Sequence, residues 1–306
     1  MFRTDVPSRQ PRVSRMRATL RSDREIAAIA SAGSVVAEAL EEARLAAVPG
    51  VSTGEIEEIV AAVFERRGAD AVLRESAAMS GGRRFPGACC TSVNEVALHG
   101  VPGERMLRDG DLLSIDAACR FEGWCADAAI TIPVGRVDAS RRRLVATVER
   151  ALEDAIAEIR PGRRWSEIAA SIQRAAEHAG LSTVTGWTGH GIGRQLHEWP
   201  PAPATLTEAL LVSEDFTLLP GMVLAIEPVF VLQSPSPAAA GCARGVAVRI
   251  GEDGWSVETL SGSPACHVEH TVAVTRRGGE ILTSRLDRVA STAMAFSAAS
   301  MEGSVA

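Results

Sequence analysis

The sequence predicts an α+β fold of two related halves, with a sheet on one side and two pairs of helices packed over it. Three observations carry this reading. Helix-forming stretches recur at a constant offset of 112 residues, and the first strand-forming stretch recurs at an offset of 111 with a second strand following it in each half. The copies also keep the same order along the chain, and a period this long rules out a solenoid.

The first half opens at Ser22, which with Glu25 forms a capping box ahead of an amphipathic run through Ile26, Ile29, Gly33, Val36 and Leu40. Pro49-Gly50 stops that helix. Ser52 with Glu55 caps a second one bearing Ile56, Ile59, Val60, Val63 and Phe64, and Gly68 ends it. In the second half, Leu144, Val148, Leu152, Ile156 and Ile159 mark a third helix, stopped by Pro161-Gly162. A fourth carries Glu167, Ile168 and Ile172 and ends at Gly180. The strands follow suit. Leu107, Gly110, Leu113, Ile115 and Asp116 match Leu218, Gly221, Leu224, Ile226 and Glu227, while Asp127, Ile130 and Ile132 match Glu269, Val272 and Val274. β-branched residues dominate these runs, as strands require.

The repeat therefore puts acids at equivalent points in the two halves: Asp116 with Glu227, and Asp127 with Glu269. A carboxylate inside a buried strand is costly unless it is paired or coordinates a cation. Four of them exceed the charge of one divalent ion, so two ions are expected. Bridging carboxylates would hold such ions ~3.5–4 Å apart and convert a water between them into a hydroxide nucleophile. An oxygen-rich set completed by one imidazole suits Mn, Fe, Co or Zn. That imidazole is His190, in Gly189-His190-Gly191-Ile192-Gly193-Arg194, where flanking glycines are expected to let the backbone turn tightly. His197 and Glu198 follow it, and His99, His267 and His270 also lie in Gly-rich or acidic surroundings. His178, near the end of a helix, suits the helix dipole and needs no functional account.

Taken together these segments resemble the type I methionine aminopeptidases, two-fold metallopeptidases of the "pita-bread" fold. The stretches that carry the resemblance are Thr91-Ser92-Val93-Asn94-Glu95-Val96-Ala97-Leu98-His99-Gly100-Val101-Pro102, then Asp109 to Asp116 with Gly123 to Asp127. His190 with His197, Glu198 and Pro200 forms the next, and Ile226-Glu227-Pro228 with Val268-Glu269-His270-Thr271 the last. The resemblance runs from about residue 20 to about 285. It implies a curved antiparallel sheet covered by two helix pairs over residues 22–288, and an enzyme that hydrolyses the N-terminal methionine from nascent polypeptides. It further implies that Asp116 chelates one ion, Asp127 and Glu269 bridge the pair, and His190 and Glu227 complete the other. His197 would bind the peptide carbonyl oxygen or the oxyanion, His99 would stabilise or protonate the leaving amine, and Glu227 would shuttle the proton.

The side-chain pocket departs most from the family. Met79 and Gly82 stand where Cys and an aromatic are frequent, Phe85 keeps a second aromatic as Phe, and Leu196 replaces a common Phe. Trp255 matches a pocket Trp. His267 and Val268 replace a polar–aromatic pair before Glu269. Such changes move specificity by ~1–3 kcal/mol per contact. An insertion between Glu227 and Trp255, with Ser234-Pro235-Ser236-Pro237, reads as a surface loop. Two other readings share the fold: a peptidase cleaving before proline, which would need an additional N-terminal domain, and a non-catalytic binding protein, which would have lost metal ligands.

Composition narrows the setting. The 306 residues are 46% hydrophobic and 23% charged with a net charge of -6, ordinary for a globular domain and against a DNA-binding role. Every basic residue is Arg, and neither Lys nor Tyr occurs, a mark of genome composition rather than chemistry. Six cysteines lack zinc-finger or disulfide-scaffold spacing, which points to reduced thiols in a cytoplasmic protein. No apolar run reaches membrane-spanning length, and no signal-peptide core precedes residue 22. Residues 1–21 form a basic extension with six Arg, expected to be flexible and able to contact the ribosome, and 289–306 form an expected C-terminal tail. No heptad run or exposed apolar stripe points to an oligomer, so a monomer is expected.

Overall fold

A computed structural model describes residues 18–76, 83–232 and 245–284. Four long helices span Asp23–Ala46 (α1), Thr53–Arg67 (α2), Ala139–Glu158 (α3) and Trp165–His178 (α4). Both capping boxes form: Ser22 and Ser52 accept from the backbone of Glu25 and Glu55, whose side chains reach back to the cap. Gly68 closes α2 in the left-handed conformation that a residue without Cβ adopts at no cost. The second pair is capped differently. Asp138 caps α3 locally, but Arg164 at the start of α4 offers no capping side chain. Asp215, 51 residues away from Arg164, accepts from the Ser166 amide at 3.0 Å, from its hydroxyl and from Arg164.

Eleven strands position the site: Cys89–Val93 (β1), Val96–Leu98 (β2), Leu112–Phe121 (β3), Trp124–Pro133 (β4), Gly189–Gly191 (β5), Glu198–Ala202 (β6), Val223–Ile226 (β7), Val229–Val231 (β8), Val257–Thr259 (β9), Ala265–His267 (β10) and Glu269–Val274 (β11). The main sheet runs β1-β3-β4-β11-β7-β5-β6, and these neighbours all pair antiparallel. The repeat is visible in it. β3 and β4 of the first half mirror β7 and β11 of the second, with the seam between β4 and β11.

Each half has its own core. Val36, Leu40, Ile56, Val60 and Phe64 pack on Leu113, Ile115, Ala117, Ala126 and Ala128. Leu144, Val148, Leu152, Trp165, Ile168 and Ile172 pack on Leu224, Ile226, Val272 and Val274. Strand periodicity of two then decides the rest: if 113, 115 and 117 face the helices, 114, 116 and 118 face away from them. The same parity turns 127, 129, 225, 269 and 271 onto that opposite face. Arg21, placed by its sequence at the end of the basic extension, is fixed to the folded part. Its amide donates to Gly221 at 2.7 Å, and its side chain is only 8% exposed. The insertion's Ser234–Pro237 stretch, residues 1–17 and the expected C-terminal tail lie outside the described residues.

Candidate metal centre

Strand register assembles the acids in two rows. Asp116 on β3 lies opposite Ala129 on β4, which lies opposite Glu269 on β11. His270 pairs with Ile226, so the next step along brings Glu269 level with Glu227 at the end of β7. One row over, His190 on β5 lies opposite Ala225, and Ala225 opposite Thr271. Thr271 then meets Asp127, which faces Ala118. Alanine and threonine spacers leave the middle of both rows open, with the acids around it.

The acid cluster is deeply enclosed. Asp127 is 5% exposed, His190 7% and Glu269 2%. Asp116 and Glu227 are half-buried. Burial, moderated by hydrogen bonds shared with Asp127 and Cys90, pushes Asp116 up to about 6. Burial and the Asp116 charge push Glu227 up to about 8, and burial with neighbouring carboxylates drives Asp127 and Glu269 up as well. Burial also holds His190 down to about 3, so its ring is neutral at physiological pH. Nδ1 of His190 lies 3.0 Å from the Gly191 carbonyl, which fixes that nitrogen as donor and leaves Nε2 free to ligate. Nε2 stands 3.9 Å from Asp127 and 4.0 Å from Glu227.

These residues fit a divalent cation. One oxygen each of Asp116, Asp127 and Glu269 is buried with no hydrogen-bond partner, a costly state that a cation removes. Asp127, His190 and Glu269 converge as one ligand group, and Glu227, His267 and Glu269 as another, sharing Glu269. The glycines around His190 serve a different purpose from the tight turn expected of them. They lie within β5, where a Cβ on Gly189 would meet the Ala225 carbonyl at 2.3 Å and one on Gly191 the Trp199 carbonyl at 2.5 Å. Close strand packing, not turning, requires them.

Two more imidazoles line the approach. His197 is exposed, with its ring 4.3 Å from that of His190 in an edge-to-face arrangement. His99 follows β2 with φ 54, a left-handed backbone, and burial and the nearby His197 lower it to about 4. Of the residues expected to hold the substrate side chain, Phe85 and Trp255 meet edge to face, with centroids 5.2 Å apart. The Asp253 carboxylate accepts the Trp255 amide at 2.8 Å and so fixes the loop that presents this ring. Leu196 is buried in another apolar cluster, with Trp124, Ile192 and Val223. Met79 and Gly82 lie outside the described residues.

The sequence assigns no part in the metal centre to four residues that shape it, and reads His267 only as a pocket replacement before Glu269. Thr271 bonds the Asp127 backbone, Cys90 lies opposite Asp116, His267 joins the acids, and Arg21 bonds Glu198 beside His197. Only His267 left a signal, as a histidine two residues before a ligand-type acid. The described cysteines Cys89, Cys90, Cys119, Cys125 and Cys266 are free thiols, and no described helix is long and apolar enough to cross a membrane.

Comparison with known proteins gives a consistent result. The model of metallopeptidase family M24 matches residues 27–276. Methionine aminopeptidase 1 of Bacillus subtilis (strain 168) is 36% identical over 263 residues, covering 86% of this chain and 98% of the relative. Methionine aminopeptidase 1 of Mycobacterium tuberculosis (strain CDC 1551 / Oshkosh) is 38% identical over 276 residues, covering 86% and 94%. The crystal structure of methionine aminopeptidase from Thermotoga maritima superposes with a TM-score of 0.77 at 33% identity, covering 88% of this chain and 100% of that one. The prolidase of Pyrococcus horikoshii OT3 shares the fold at a TM-score of 0.64, with 20% identity and 63% of its chain covered. The curved antiparallel sheet under two helix pairs is thus the pita-bread fold.

Proposed function

Because the chain belongs to metallopeptidase family M24, we propose that it removes the N-terminal methionine from polypeptides, using two divalent ions held by Asp116, Asp127, His190, Glu227 and Glu269. It is a metallo-aminopeptidase, and divalent metal use follows from the family and the ligand groups. The single observation that carries the two-ion reading is the set of four carboxylates on one sheet face, three with an unpartnered buried oxygen.

Divalent ions bound there supply Lewis acidity and lower the pKa of water. The chain's own groups do the rest. Glu227, half-buried at the end of β7 and deprotonated once cations are bound, would take a proton from the attacking water and pass it to the leaving amine. His197, exposed beside His190, donates to the scissile carbonyl oxygen as negative charge develops on it. His99, neutral, stands by the scissile nitrogen. Phe85 and Trp255 form the apolar wall for the first side chain, with Met79 and Leu196 as its expected further residues. The partner is the N-terminal segment of a nascent polypeptide. Contact with the ribosome falls to residues outside those described.

A panel of X-Ala-Ser peptides, assayed on chelator-stripped protein reloaded with Mn, Fe, Co or Zn, tests this reading. Turnover with X as Met is expected. No turnover with any metal removes the proposal, and a preference for another first residue removes the word methionine.

A further inference from the structure

One buried imidazole that converges with the acids is not among the five donors assigned above. His267 ends β10, two residues before Glu269, and is 2% exposed. Its Nε2 has no hydrogen-bond partner, although it stands 3.8 Å from Oε2 of Glu227 and 3.9 Å from Oε2 of Glu269. Those separations are too long for hydrogen bonds. They suit donor atoms that share an ion, since ligands ~2.0–2.2 Å from one ion stand roughly 3–4 Å from each other. His190 shows the same spacing, at 3.9 Å from Asp127 and 4.0 Å from Oε1 of Glu227. The two oxygens of Glu227 therefore face two different imidazoles.

The backbone of His267 is also held in place. Its amide donates to the Thr131 hydroxyl at 3.1 Å, and that hydroxyl donates to the His267 carbonyl at 2.7 Å. Ser114 stands against the same hydroxyl at 2.8 Å. A residue clamped this firmly, with a buried and unpartnered nitrogen turned toward two carboxylates, is built to meet a cation.

We propose that His267 is a sixth protein donor of the metal centre, adding a second imidazole to the ion held between Glu227 and Glu269. This rests on the two-ion reading above. An added imidazole tilts the site toward metals that favour nitrogen, Zn, Fe and Co, and away from Mn.

The test uses the full chain stripped of metal and titrated with Co(II), followed by calorimetry and visible absorption, for the wild type, His267→Gln and His267→Ala. At least a tenfold loss of affinity for one cobalt equivalent is expected in both variants, with the other equivalent unchanged and a shifted d–d spectrum. Identical isotherms and spectra in all three proteins overturn the proposal. X-ray absorption of the wild-type zinc form decides independently of how the variants fold: two imidazoles per bound pair of zinc ions support it, and one overturns it. Wild type that binds no ion at all removes the two-ion reading along with it, whereas two ions bound without His267 remove this proposal alone.

Discussion

The side chain of Thr271 stands in for a backbone rung opposite Asp127. Its hydroxyl donates to the Asp127 carbonyl at 2.8 Å and accepts from the Asp127 amide at 3.0 Å. β4 and β11 pair through their backbones at Glu269 with Ala129 and at His270 with Ala128. At the next step the threonine takes over, so the seam opens where the acids need room while the Asp127 backbone stays satisfied. Replacing Thr271 by isosteric Val leaves a buried amide and carbonyl unpaired, each worth about 1–3 kcal/mol. We expect Thr271→Val to lower stability by that order and to lower kcat further, because Asp127 loses its anchor. Denaturant unfolding with steady-state kinetics on one preparation checks both, and an unchanged kcat would show that Asp127 is held by other contacts.

Removing a ligand should separate activity from folding. Asp116→Asn takes one charge from a cluster of four crowded acids, so the metal-free protein should unfold no more easily than the wild type at pH 8. Hydrolysis of a Met-Ala-Ser peptide should fall at least about a hundredfold in Asp116→Asn and in His190→Ala. Full activity in either variant, purified free of host enzyme, would overturn the site assignment.

Much of this arrangement was legible in the chain because it is periodic. The offset of 111 ties Asp116 to Glu227, the matching pattern of the strand that follows ties Asp127 to Glu269, and both serine capping boxes fall where local chemistry puts them. What stayed hidden depends on partners distant in sequence. Asp215 caps α4 from 51 residues beyond Arg164, and Thr271 clamps Asp127 from 144 residues away. The glycines beside His190 suggest a turn in the sequence, because only the three-dimensional approach of Ala225 and Trp199 reveals that they are needed for packing.

Arg21 gives the basic extension a structural end point. Its guanidinium bonds Glu198 and lies 5.3 Å from the Trp124 ring centroid, while Glu198 also accepts the amides of Arg194 at 2.9 Å and Gln195 at 3.2 Å. The loop carrying His197 is thereby tied to the segment that leads into α1. Side chains 8% and 17% exposed make this pair more than a surface contact. We expect Arg21→Ala to cost about 1–3 kcal/mol, since Glu198 keeps its two amides. A double-mutant cycle with Glu198→Gln should give a coupling of about 0.5–3 kcal/mol, and additivity would mean the pair does not act as a unit.

The acid cluster also dictates how metal and pH interact. In the bare site Asp116 is pushed up to about 6 and Glu227 to about 8, with Asp127 and Glu269 raised as well, all chiefly by burial. In the unfolded chain these groups titrate near their reference values of about 4. Above that pH the folded state holds more protons than the unfolded one, so stability present below pH about 4 is progressively lost as pH rises toward about 8. A divalent ion replaces those protons, and its affinity must therefore rise over the same interval with proton release. Thermal unfolding at pH 5.5, 6.5, 7.5 and 8.5 should show metal-stripped protein losing Tm while metal-loaded protein holds it, so that the gap widens with pH. Calorimetric titration in buffers of different ionisation enthalpy should show protons released on binding at pH 6.5. A constant gap with no proton release would mean that the four carboxylates are already ionised in the bare site, and that something other than mutual burial governs their protonation.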